Sequence, residues 1–307
     1  MFSIVFDFIG STFGYVLWYF FDLFDNYSLA IVCFTILIKV LLFPLDLKSR
    51  IAAFKSNRLV SKQFEIKKMY KGDPKKQAEA IDDLYSREGV NAGTGGSFAQ
   101  IIFQFVFMIG IFRAIVKPLS NLFHINSVTV KSAVEKVQSL SGTGINLLKG
   151  YEELNVVRCA PLKQDVFNMF NSAEMSDILD FNKGFNFFGL DFSLTPREFS
   201  IFNVVWLFPL FGVLTSLLVG FISQKINKQK GMPGCMKLAP YIAILPAVFF
   251  TINMPIAVGF YNIVSNILMI IQTLIIAKFF NPVDFVAKEE AARIERLLIE
   301  EKRVLRK

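Results

Sequence analysis

The residues with the most chemistry to offer are polar side chains set inside long apolar runs. Lys39 interrupts "LAIVCFTILIKVLLFPL", residues 29–45. An ammonium at that depth in a bilayer costs about 2.5–3.5 kcal/mol on insertion scales. At 100° per residue, Ser28, Thr35, Lys39 and Asp46 fall within about 40° of one another, so the lysine sits on a polar stripe. Other apolar runs repeat the pattern. Ser97, Gln100 and Gln104 line one side of one run. Asn262, Ser265, Asn266 and Thr273 lie near one side of another, with Gln272 beside them, and Thr215, Ser216 and Ser223 mark a third. Polar groups inside a bilayer turn to the bundle interior or to water. Several helices bearing them predict a shared, hydrated, positively charged cavity. Thr35, Lys39, Gln100, Gln104, Asn262, Ser265 and Asn266 are its expected lining. The plainer readings are a lysine that snorkels to the membrane surface and amides that bond helix to helix.

The sequence contains little that could do covalent chemistry. His124 is the only histidine, and Cys33, Cys159 and Cys235 lie far apart without metal-ligand spacing. There is no GxxxxGK[ST] phosphate loop and no HExxH. An intramembrane aspartyl protease needs paired acids at bilayer depth, and the apolar runs carry none. No catalytic residue, cofactor or metal is expected, and the chain reads as a non-enzyme. A polar groove open to one side and to lipid needs neither nucleotide nor bond cleavage. A guest polypeptide with polar or acidic residues enters it part-way, and its apolar segment slides into lipid. The rival function is an anion transporter or channel with a midplane polar site. Transporters commonly show broken helices in matching halves, a pattern absent from this sequence.

The elements that position these residues follow from composition. The chain has 307 residues, 53% hydrophobic, 35 of them Phe, with a net charge of +8. That is the balance of an all-α integral membrane protein beside anionic lipid. A spanning helix needs about 20 apolar residues. Five spans are predicted, at 27–46, 96–116, 200–224, 238–253 and 255–278, with "NMP" (253–255) as the turn between the last two. Residues 1–26 read as an interfacial amphipathic helix on the outer face, since Asp7 and Asp22 bracket too few residues to cross. An uncleaved signal-anchor is the competing reading. Residues 47–90 carry 11 Lys/Arg and read as a charged helical hairpin turning at "YKGDPKK". Residues 117–198 form a long loop or small domain, and 225–237 a basic loop. The tail 279–307 is basic and amphipathic. Lys and Arg concentrate in the hairpin, the short loop and the tail, which places these in the cytoplasm. The N-terminus and the long loop then face outward.

Three stretches carry a family resemblance: "YSLAIVCFTILIKVLLFPLDLK" (27–48), "GVNAGTGGSFAQIIFQF" (89–105) and "INMPIAVGFYNIVSNILMIIQ" (252–272). Together with the basic hairpin they resemble the YidC-type membrane protein insertases. Pro44, Pro255, Gly259, Tyr261, Ser265, Asn266 and Gln272 stand where the family pattern has them. The resemblance implies a five-helix core, a lipid-exposed hydrophilic groove and a cytoplasmic helical hairpin in a bacterial plasma membrane. It also implies nascent membrane proteins as guests, with the protein working as a monomer, alone or beside the Sec translocon. The tail could meet the ribosome or anionic lipid. The chain departs from the family in three places. Lys39 stands where Arg is usual, "SFAQIIFQFV" lacks the usual Cys-Leu-Pro, and the outer loop 117–198 is long.

Overall fold

The computed structural model describes residues 2–88, 95–139, 147–162, 167–187, 189–227, 244–279 and 282–304. Helices dominate them: α1 (Phe2–Phe24), α2 (Tyr27–Met69), α3 (Pro74–Arg87), α4 (Gly95–Val116), α5 (Pro118–Asn121), α6 (Ser127–Ser139), α7 (Glu152–Cys159) and α8 (Ser172–Gly184). A two-residue antiparallel pair follows, β1 (Asn186–Phe187) and β2 (Leu190–Asp191), turning at Gly189 with φ +79°. Then come α9 (Leu207–Asn227), α10 (Ile244–Asn253), α11 (Ile256–Phe279) and α12 (Pro282–Val304). Among the described residues three stretches are long and apolar enough to cross a membrane: Tyr27–Ala52, Val204–Ile226 and Ile256–Phe279. Val106–Val116, within α4, is a shorter apolar one. The molecule is an all-α integral membrane protein.

The chain divides into two compact units. The first holds the described residues of 2–40, 104–217 and 244–268. Its core is aromatic. Phe181 meets Phe21, Tyr27 and Phe123 edge-on, with centroids 5.6, 4.9 and 5.4 Å apart. Phe13 of α1 stacks on Phe107 of α4 at 5.2 Å and meets Phe34 of α2 edge-on at 5.3 Å. Close approach of α1 depends on small residues. A Cβ at Gly14 would overlap the Asn121 carbonyl oxygen, and one at Gly110 would overlap the Phe13 ring. Arg113 Nη1 then donates to Asp7 at 2.9 Å, and Asn121 Nδ2 donates to the Arg113 carbonyl at 3.0 Å.

The long segment 117–198 shares this core: Leu119, Val157, Ile178, Phe181 and Phe192 are buried in one cluster with Leu17, Ile31 and Ile115. Glu153 ties it internally, accepting from the Ser120 amide (2.9 Å) and hydroxyl (2.7 Å). Burial pushes the Glu153 carboxyl above the usual carboxylate range, against the pull of those bonds. Asn155 bonds both the amide and the carbonyl of Leu148 at 2.8 Å.

The second unit holds the described residues of 41–88, 95–103, 218–227, 269–279 and 282–304. In it α2 continues unbroken past residue 46, where composition turns from apolar to charged, and ends only at Met69. Gly72, at φ +106°, makes the turn, and Asp73 caps α3 by accepting from the Lys76 amide. Gln63 Nε2 donates to the Tyr85 hydroxyl at 2.9 Å, and Leu59 and Tyr85 are both buried.

Candidate functional site

In the first unit, α11 carries a polar seam: Asn262, Ser265 and Asn266 occupy successive turns of a membrane-length helix. The spacing of three and four residues keeps them on one face. Ser265 and Asn266 are buried. Asn266 Nδ2 donates to Thr215 Oγ1 at 3.1 Å and Ser216 Oγ at 2.9 Å, both on α9. Thr215 passes its own proton to the Phe211 carbonyl, 2.8 Å away. One turn toward the start of α11, the Asn262 amide nitrogen is buried and has no hydrogen-bond partner among the described residues. Its surroundings are Gly212 of α9 and Thr251 of α10: a Cβ at Gly212 would stand 3.7 Å from Asn262 Nδ2 and 3.5 Å from Thr251 Cγ2. Gly259 faces Thr251 and Phe208 at ordinary contact distance. Three helices thus converge on small and polar side chains. Thr251 and Gly212 belong to this seam although neither stood out in the sequence. Thr251 is the one hydroxyl in "AVFFTINM", a weak signal by itself.

Thr35, on α2 in the same unit, is buried, and its hydroxyl donates back to the Ile31 carbonyl at 2.6 Å. Ser28 is buried and Lys39 half-buried. Tyr261, Pro255 and Gly259 are buried on and before α11. Gln100 and Gln104 lie on α4, and their side chains fall outside the described residues. On α9, Leu210, Leu214 and Phe221 are apolar and about half accessible.

The second unit holds a different polar group. Gln272 Nε2 donates to Asp46 Oδ2 at 2.8 Å, and Arg50 Nη2 donates to Thr273 Oγ1 at 2.8 Å. These two bonds tie α2 to α11 one residue apart along α11. Gln272 therefore has a specific partner, and Asp46 is held by it. Pro44 lies exposed on α2. Among the described residues no three His, Cys, Asp or Glu side chains cluster.

A family model described as "60Kd inner membrane protein" matches residues 19–283. Among curated proteins, the membrane protein insertase YidC of Campylobacter jejuni is 33% identical over 94 residues, 31% of this chain and 17% of that protein. The insertase YidC of Granulibacter bethesdensis is 31% identical over 110 residues, 36% of this chain and 19% of the relative. That of Helicobacter pylori is 30% identical over 109 residues, again 36% and 19%. The aligned stretch thus spans less than a fifth of each relative's length.

Proposed function

The chain belongs to the 60Kd inner membrane protein family, that of the YidC-type insertases, and on that premise we propose that it inserts nascent membrane proteins into a bacterial inner membrane. The seam of α9, α10 and α11, with Lys39 and Thr35 of α2, is the hydrophilic groove that admits polar parts of a guest. Gln100 and Gln104, whose side chains lie outside the described residues, are assigned to the same function by their sequence spacing and the family resemblance alone. Lys39 supplies the positive charge that draws acidic or carbonyl-rich guest segments. The exposed apolar face of α9 borders the lipid into which apolar segments leave. Pro44, Pro255, Gly259 and Tyr261 shape the helices that carry the groove, and Gln272 fastens α11 to Asp46. The basic hairpin, the 225–237 loop and α12 face the cytoplasm, where the ribosome, anionic lipid and the Sec translocon are the partners such a cycle would use. The N-terminus and the segment 117–198 face outward.

The observation that carries this reading is the Asn262 amide. It is buried on a membrane-length helix, and no described residue bonds it. A buried amide left alone costs about 1–3 kcal/mol. Such a group fits a role in which water or the backbone of a guest bonds it once the helices part around a guest. The test is rescue of a bacterium depleted of its own insertase. Lys39→Arg retains insertion and Lys39→Glu impairs it. Rescue by Lys39→Leu equal to that of the parent removes the charge from the mechanism. Site-specific crosslinkers at Thr35, Gln104 and Asn262 should capture nascent chains, and silence at all three would refute the groove.

A further inference from the structure

The segment 117–198 has a second property that the family reading leaves unused: four of its residues converge on the turn between α10 and α11. The Leu194 carbonyl accepts from the Ile256 amide at 2.8 Å, and the Phe192 carbonyl accepts from the Ala257 amide at 3.1 Å. Tyr151 donates its hydroxyl proton to the Asn253 carbonyl at 2.9 Å. Arg197 Nη1 donates to the Asn253 side-chain oxygen at 3.1 Å. The Phe192 ring is buried between α9 and α11, 5.6 Å from Phe208 and 5.4 Å from Phe260.

These contacts meet a definite physical need. The first amides of a helix have no partner within it, and the last carbonyls likewise. Pro255 has no amide to offer, so Ile256 and Ala257 present the first orphan donors of α11. Near hydrocarbon such groups cost several kcal/mol each if left alone. The outer segment satisfies both donors, and Tyr151 satisfies a carbonyl at the end of α10. The turn bears Thr251 two residues before Asn253, and Asn262 two helical turns after Pro255. Both belong to the polar seam.

We propose that Tyr151, Phe192, Leu194 and Arg197 form a clamp by which the outer segment sets the α10–α11 hairpin, and through it the positions of Thr251 and Asn262 in the groove. These are positioning residues. The inference rests on the groove reading for its functional half, while the clamp itself is measurable without it.

The experiment uses the full chain in lipid nanodiscs, with the double variant Tyr151→Phe/Arg197→Gln. Both substitutions keep the bulk of the side chain, and Tyr151→Phe removes one oxygen. Hydrogen exchange of the peptide spanning 252–260 reads the Ile256 and Ala257 amides directly, and a peptide within α8 serves as the internal reference. Exchange at 256–257 is expected to accelerate about tenfold while α8 keeps its protection. In the depletion assay, insertion is expected to fall several-fold, with Arg197→Lys alone restoring most of it. Unchanged exchange at 256–257 overturns the clamp. Accelerated exchange with full insertion overturns its coupling to the groove. Loss of protection in α8 as well assigns the residues to general stability and also overturns the coupling. Failure of the groove reading is seen separately, as silence of the nascent-chain crosslinkers at Thr35, Gln104 and Asn262 in an otherwise unaltered chain.

Discussion

Replacing Asn262 with leucine separates a groove from a packed bundle, because the two readings predict opposite relations between stability and activity. Asn266 shows what interhelical bonding looks like here: its amide makes two bonds to α9 hydroxyls. Bonds of this kind between membrane helices average about 0.6 kcal/mol, so Asn266→Leu should cost about 1 kcal/mol of stability. Asn262 differs. Its amide nitrogen is buried with no partner among the described residues. Leucine removes that unsatisfied donor and adds little volume, on the side where Gly212 leaves ordinary contact distance. An orphan buried donor costs about 1–3 kcal/mol, so Asn262→Leu should stabilise the bundle by about 1 kcal/mol. That is about a fivefold rise in the folded-to-unfolded ratio. If the amide serves guests, insertion falls in the same variant, a trade of activity against stability. Denaturant unfolding in detergent measures the first quantity and depletion rescue the second. A more stable protein with full insertion would refute the groove role of Asn262. A variant destabilised by more than 1 kcal/mol would refute the premise that the amide lacks a structural bond.

Other outcomes follow from single contacts. Gln272→Leu removes the donor to Asp46 and should cost about 1.5–3 kcal/mol, the range for a bond to a charged group; detergent unfolding checks it, and an unaltered midpoint would show the bond to be idle. Gly14→Val places a side chain against the Asn121 carbonyl and should loosen α1 at a cost of at least about 1–3 kcal/mol, read as faster proteolysis or exchange within 2–24. His124 stacks on Tyr15 at 3.6 Å, and its Nδ1 lies 3.3 Å from the Ser11 hydroxyl. Burial lowers its pKa from the ordinary 6.5. The folded state therefore binds fewer protons than the unfolded one just below 6.5, and stability falls as pH drops through that window. His124→Asn, which tolerates the local φ of +51°, should flatten the acid side of the stability profile; an unchanged slope would assign the effect to carboxyl groups.

How much of this was legible in the sequence depends on the range of the interaction concerned. Asn262, Ser265 and Asn266 announce a shared face because helical spacing is local and the background is apolar. The turn at 253–255 is legible for the same reason, since Pro255 cannot continue a hydrogen-bonded helix. The boundary at residue 46 is a change of composition and not of conformation. Lys, Arg, Gln, Glu and Ala all sustain a helix, and no strong breaker appears before Gly72, so α2 runs on to Met69. Asp46 shows the limit of periodicity. Its place on a stripe with Ser28 and Thr35 follows from one helix alone. Its bond to Gln272 depends on the register of two helices more than 200 residues apart. The segment 117–198 was the least legible part. Its grip on the α10–α11 turn is made largely by carbonyls of Phe192 and Leu194. Backbone acceptors are the same in every residue and leave no mark in a sequence. What the sequence does carry is the aromatic residue that brings them there. Phe192 can reach Phe208 and Phe260 only if the segment bearing it runs across the start of α11. Phe192→Ala should therefore release the clamp as well as open a cavity, at a cost of about 3–5 kcal/mol. Phe192→Leu, which keeps much of the volume, should retain the protection of the Ile256 amide.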